Sequence, residues 1–97
     1  MNVRVSKRAQ AQIDRAAEWW DQHRDLAPDA FDEDLAKAFL LLSAGHLIGA
    51  PALSTSEAGV RRLHLARIRY HLYYRIRSRT VEVVAFWHTS RGAGRSL

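Results

Sequence analysis

Four side chains in the C-terminal half of the chain, His64, His71, Tyr73 and His88, have groups suited to proton transfer near neutral pH. They stand among Arg62, Arg67, Arg69, Arg75, Arg77 and Arg91. Guanidinium forks suit bidentate contact with phosphate or carboxylate. The combination could hold an anionic partner and, with an acid and a base well placed, move protons on it. Each part also has a plain structural reading: a single histidine as a hydrogen-bonded surface residue, an arginine row as a solvated strand face. No metal site is expected, because His46, His64, His71 and His88 show no close ligand-pair spacing, although His64 and His71 could meet across strands. The absence of cysteine excludes a disulfide framework, a thiolate metal site and a thiol nucleophile, and fits a reducing compartment.

The charge is unevenly spread. Residues 1–44 hold six Lys or Arg against eight carboxylates, a net charge of −2, whereas residues 45–97 hold nine Arg and no Lys against Glu57 and Glu82, a net +7. This asymmetry points to a polyanion or an acidic protein segment at the C-terminal half.

The elements that must position these residues follow from periodicity. Across 67–77, Ile68, Tyr70, Leu72, Tyr74 and Ile76 alternate with Arg67, Arg69, His71, Tyr73, Arg75 and Arg77, which predicts a strand with a dry face and a cationic wet face. Strands are expected at about 60–65, 69–77 and 80–88, with turns near Ala66-Arg67 and Ser78-Arg79. The last, apolar on both faces, should lie inside the sheet. Val3-Arg4-Val5 is a short strand, and Ser6 sits where a helix N-cap belongs. Ala9, Ile13, Ala16 and Trp20 recur at offsets of four, three and four, one stripe of a helix over about 7–24. Pro28 suits the first turn of a second helix, with Phe31, Leu35, Ala38 and Leu42 as its buried stripe and Gly45 just past its end. Asp32, Glu33 and Asp34 complement that helix's dipole; adjacent helical positions diverge too far for a metal site. Residues 46–58 form a loop, with Gly49, Pro51 and a Ser/Thr cluster.

The expected fold is α+β: a short N-terminal strand, a helical hairpin and three C-terminal strands (β-α-α-β-β-β), the hairpin packed on one face of an antiparallel sheet. At 97 residues one domain spanning 1–97 is expected. No apolar run approaches a membrane span, and the N-terminus lacks a signal peptide's apolar region, so no membrane association and a cytoplasmic location are expected.

The helix with paired tryptophans, the loop with its proline, and then GVRRLHL, RYHLYYRI and VEVVAFWHTSR resemble, in order, spacing and total length, the RelE/ParE superfamily of toxins from bacterial type II toxin–antitoxin systems. The resemblance implies the α+β sandwich, a cognate antitoxin as partner and no cofactor. It also implies one of two activities: ribosome-dependent cleavage of mRNA, as in RelE-like members, or poisoning of DNA gyrase, as in the ParE-like branch. By motif, the RelE basic residues fall at Arg62, His64, His71 and Arg91, while the RelE catalytic tyrosine falls at about Leu97, which has no acid–base chemistry. For cleavage, Tyr73 or His88 would join that set; His88, three residues before Arg91, occupies a place that also occurs in ParE-like sequences. The missing tyrosine favours the ParE-like branch. Partner contacts are then expected from Arg67, Arg69, Arg75, Arg77 and Arg91, and a binding module of the same fold without toxicity is a third reading.

Overall fold

The computed structural model describes residues 1–23, 29–45, 50–51 and 59–91. Strand β1 (Asn2–Val5) leads through Ser6 into helix α1 (Lys7–Gln22), and helix α2 (Ala30–Ser43) follows. A two-residue strand β2 (Ala50–Pro51) precedes β3 (Arg61–Leu65), β4 (Tyr70–Arg77) and β5 (Thr80–His88), and a single 3-10 turn spans Thr89–Arg91. No helix among the described residues is long and apolar enough to cross a membrane.

Ser6 caps α1 as its position predicts: its backbone is extended and its Oγ accepts from the Ala9 N–H at 3.0 Å. Asp29 begins α2, with Asp32 and Glu33 in its first turn, and Pro28 lies outside the described residues. Gly45 ends α2 at φ +83°, and its N–H donates to Leu42 O at 3.1 Å, the left-handed exit that glycine adopts without a Cβ clash.

The sheet order is β1-β5-β4-β3-β2. It is mixed rather than wholly antiparallel, because β1 runs parallel to β5, in register from Asn2↔Thr80 to Val5↔Val83. The hairpin returns the chain to the far side of β5, making β5 an interior strand. Strand β2 falls inside the stretch expected to be loop and extends the opposite edge by pairing with Arg61 and Arg62.

One face of the sheet carries the helices. Ala9, Ile13 and Ala16 of α1 and Phe31, Ala38 and Leu42 of α2 share a core with Leu63, Leu65, Tyr70, Leu72, Tyr74, Val81, Val83 and Phe86. Tyr70 and Phe86 stack at 4.9 Å, and Phe31 meets both edge-on at 6.0 Å. Trp20 and Leu35 pack against this core, whereas Trp19 stays half exposed.

The middle strand departs from simple alternation in three ways. Residues 66–69 form a turn, with Ile68 buried beneath it and Arg69 at φ +62°, so Arg67 and Arg69 are not on the strand. His71 and Tyr73, expected on a wet face, are buried: a second cluster of Val60, Tyr73, Ala85 and Trp87 covers that side. Ile76, expected on the dry face, is 42% exposed, because β3 pairs with β4 only as far as Tyr74 and its end has no neighbour there. A bulge at Val84 sets Tyr73 opposite Ala85 but Tyr74 opposite Val83, which shifts the face assignment along β5.

Candidate functional site

The face of the sheet turned away from the helices gathers most of the chemistry-bearing residues. Arg62 lies opposite Tyr73 and His64 opposite His71 across the β3–β4 ladder, while Ala85 and Trp87 continue the two rows on β5. The His64 and His71 rings meet edge-on at 4.9 Å, the cross-strand encounter that the sequence allowed. Two imidazoles make no complete metal site, and among the described residues no group of three or more ligating side chains converges.

The two members of this histidine pair differ in environment. His64 is exposed, whereas His71 is buried and its Nδ1 finds no hydrogen-bond partner. Burial, reinforced by the charges of Arg62, His64 and His88, pulls the His71 pKa from 6.5 to about 4, so the ring is neutral at physiological pH. Tyr73 is still less accessible: it is 1% exposed and its hydroxyl accepts from Trp87 Nε1 at 3.2 Å. His88 stands on the other face, where its register partner is Tyr70, 5.3 Å away ring to ring. Its Nδ1 accepts from the Ser90 N–H at 3.2 Å and lies 2.9 Å from Ser90 Oγ. The four proton-transfer candidates therefore do not share one site.

The arginines are equally divided. Arg67 leaves the sheet and clips the β3–β4 turn to α2, donating to Asp34 at 2.7 Å and to Glu33 at 3.0 Å. These bonds, Asp34 first, raise its pKa further above the ordinary guanidinium value. Arg75 donates to Glu82 at 2.8 Å, and Arg4 reaches the same carboxylate at 3.6 Å, a row across three strands. The bond from Arg75 leads the effects that hold Glu82 below the usual carboxylate range. Arg69 and Arg77 are exposed and Arg62 is half-buried. Arg91 closes the 3-10 turn, and its side chain lies outside the described residues.

Two partnerships were missed at the sequence level, one of them legible there. Once Ser78-Arg79 is fixed as a two-residue hairpin turn, counting outward puts Arg75 opposite Glu82. The Arg67 clip to Glu33 and Asp34 joins elements more than thirty residues apart, and no local pattern announces it.

A helical hairpin on one face of a small mixed sheet, with a cationic, histidine-bearing opposite face, defines the class of compact α+β toxins that the sequence motifs resemble. The family model for the ParE toxin of type II toxin-antitoxin systems, parDE, matches residues 3–92, and the chain belongs to that family. In three dimensions it is similar to a chain from the structure titled "Chromosomal ParDE TA system from P. aeruginosa", with a TM-score of 0.62 at 15% identity over 91% of this chain and 95% of that one. At that identity the likeness shows the fold alone. No curated protein matches the chain. Membership of the ParE family implies a cognate antitoxin as partner.

Proposed function

We propose that this chain is the toxin of a type II pair that acts by poisoning DNA gyrase and is neutralised by its cognate antitoxin. The observation that carries this reading is the family match over residues 3–92, and the state of the proton-transfer groups supports it. Cleavage of RNA needs a base and an acid around one phosphate. Tyr73 is buried and bonded and His71 is buried and neutral, while His64 and His88, the more accessible pair, lie on opposite faces of the sheet. Cations without a matched acid and base bind but do not cut.

The test is toxicity of single His→Ala variants at 64, 71 and 88 under controlled expression. Removing one working acid or base lowers a rate by about 10²–10⁴-fold, so a ribonuclease should lose toxicity. The expected result is that toxicity survives at least two of the three changes, with DNA damage and blocked replication preceding any loss of translation. Rapid arrest of protein synthesis, with ribosome-dependent mRNA cleavage lost in His88→Ala, would move the RelE-like reading into first place.

The antitoxin is expected to dock an acidic, amphipathic segment against the exposed arginines, folding as it binds. Because Arg67 and Arg75 already hold carboxylates of this chain, Arg69 and Arg77 carry the recognition. Arg69→Glu with Arg77→Glu should weaken the complex and flatten the dependence of affinity on salt. An unchanged salt slope would place the docking surface elsewhere.

A further inference from the structure

A second stripe runs along α1 one residue before its buried one. Ala9, Ile13, Ala16 and Trp20 face the core or its margin; Arg8, Gln12, Arg15 and Trp19 repeat the same offsets of four, three and four beside them. This second stripe overhangs the end of β5, and together they wall a cleft of about 640 Å³ that also takes in His88 and Ser90. That volume is within the range of small-molecule sites, about 300–1,000 Å³. Of its described lining residues, His88 alone figures in the functions discussed above, as a candidate for RNA cleavage.

Its walls are chemically one-sided. Among the described residues no carboxylate lines the cleft. Arg15 supplies a guanidinium fork at an exposed position of α1, and Arg8 adds a second cation two turns, about 10 Å, nearer the helix start. Gln12 Oε1 already accepts from the Phe86 N–H at 2.8 Å, which commits its oxygen to the backbone and leaves its amide as the donor end. Because the Ser90 N–H donates to His88 Nδ1, the neutral ring carries its proton on Nε2, and His88 is fixed as a donor there. Trp19 adds a flat surface. It is 50% exposed, and its ring stacks on His23 at 4.3 Å and 12°, which holds the indole plane in place. Arg8 spans toward the other indole, its Cζ 5.7 Å from the centre of the Trp87 ring.

We infer that this cleft binds a nucleotide unit, its phosphate taken by Arg15 and its base laid against Trp19. A guanidinium fork beside a half-exposed indole, with donors and, among the described residues, no acid, matches a ligand that joins an anion to an aromatic ring. An acidic peptide would use the cations but would make no use of the exposed part of the Trp19 indole. The unit could come as a free nucleotide or as part of a single strand. The arginines proposed for antitoxin docking, Arg69 and Arg77, are not among the lining residues, and the inference does not depend on gyrase being the target.

The indole N–H resonances of Trp19, Trp20 and Trp87 give three reporters for titration with AMP, inorganic phosphate, a short single-stranded oligodeoxynucleotide and an oligoglutamate peptide. AMP is expected to shift Trp19 and Trp87 more than Trp20, saturably and in the millimolar range or below. Inorganic phosphate, lacking the ring, should bind about tenfold more weakly. Trp19→Ala and Arg15→Glu, both at exposed positions of the helix, should each weaken AMP about tenfold. Arg15→Lys, which keeps the charge and loses the fork, should fall between. Arg77→Glu, remote from the cleft, should bind AMP as the unaltered chain does. An oligonucleotide tighter than AMP assigns the site to a strand; equal affinity assigns it to a free nucleotide. The inference is overturned if AMP gives no saturable shift at millimolar concentration. It fails equally if Arg77→Glu weakens binding as much as Arg15→Glu, or if oligoglutamate shifts the same resonances as strongly as AMP.

Discussion

The two faces of the sheet are built on different terms. Toward the helices, Leu72, Tyr74, Val81, Val83 and Phe86 are almost wholly buried against Ala9, Ile13, Phe31 and Leu42, so that face is held by apolar area and ring packing. On the other, a small cluster of Val60, Tyr73, Ala85 and Trp87 sits among Arg62, His64 and His71, and polar contacts tie it together: Trp87 to Tyr73, and Arg75 with Arg4 to Glu82. The first face can absorb no change of volume cheaply, whereas the second tolerates chemistry because its hydrophobic share is small. Ionisable side chains such as Arg62, His64 and Arg75 therefore stand on the face where they cost the fold least.

Substitution at one position on each face gives the largest expected effect. Leu72 is fully buried, and Leu72→Ala should destabilise the chain by about 2–5 kcal/mol through lost transfer energy and the cavity left behind. His64, exposed on the opposite face of the neighbouring strand, should change stability by no more than about 0.5 kcal/mol on conversion to Ala. Urea unfolding of both variants measures the contrast. Equal losses would mean that the two faces share the load and that His64 is structural.

The helix-side face was the legible one. The α1 stripe, the Ser6 cap, the Gly45 exit, the two-residue turn at Ser78-Arg79 and the interior place of β5 all follow from local rules, because each depends on spacing within one element or on a backbone conformation that few residues tolerate. The parallel pairing of β1 was not legible, since direction within a sheet is set by where the hairpin returns the chain. The other face was misread for a related reason. Alternation reports only that Tyr70 and His71 point opposite ways; it cannot report that Trp87, across the ladder, will cover one of them. The bulge at Val84 compounds this, because one extra residue exchanges the faces of everything beyond it. The candidate site was legible as a set of residues but not as a place: the same alternation that put His71 and Tyr73 on one face concealed their burial, and His88 fell on the far side.

His71 makes the difference between the faces visible to pH. In the unfolded chain its ring protonates near 6.5, in the folded protein only near 4, so between those values the unfolded state binds more protons and stability rises with pH. The contribution is complete above about pH 6.5 and is lost as pH falls toward 4. Allowing for solvent screening on this thinly covered face, the loss should be about 1–2 kcal/mol. His71→Leu removes both the titrating group and the unpartnered Nδ1, and should flatten the stability profile over that window without lowering stability at neutral pH. Acidic groups titrating in the same range are common to both proteins, so the difference between the two profiles isolates His71. A profile unchanged by the substitution would mean that the ring is already solvated and that this face is open in solution.

The smallest effect asks whether the outer cluster is held by a polar bond or merely by contact. Tyr73→Phe keeps the ring and deletes the hydroxyl that accepts from Trp87 Nε1, so the loss should be about 1 kcal/mol, the net worth of one buried hydrogen bond. Because the rings also pack, with centroids 5.1 Å apart, the single variant alone cannot separate bond from contact. A cycle with Trp87→Phe does, since the coupling energy of the pair excludes what each residue does with other neighbours. A coupling of about 0.5–1.5 kcal/mol is expected. If it vanishes, Tyr73 and Trp87 form an apolar cluster like the one beneath the helices, and the two faces differ in size but not in kind.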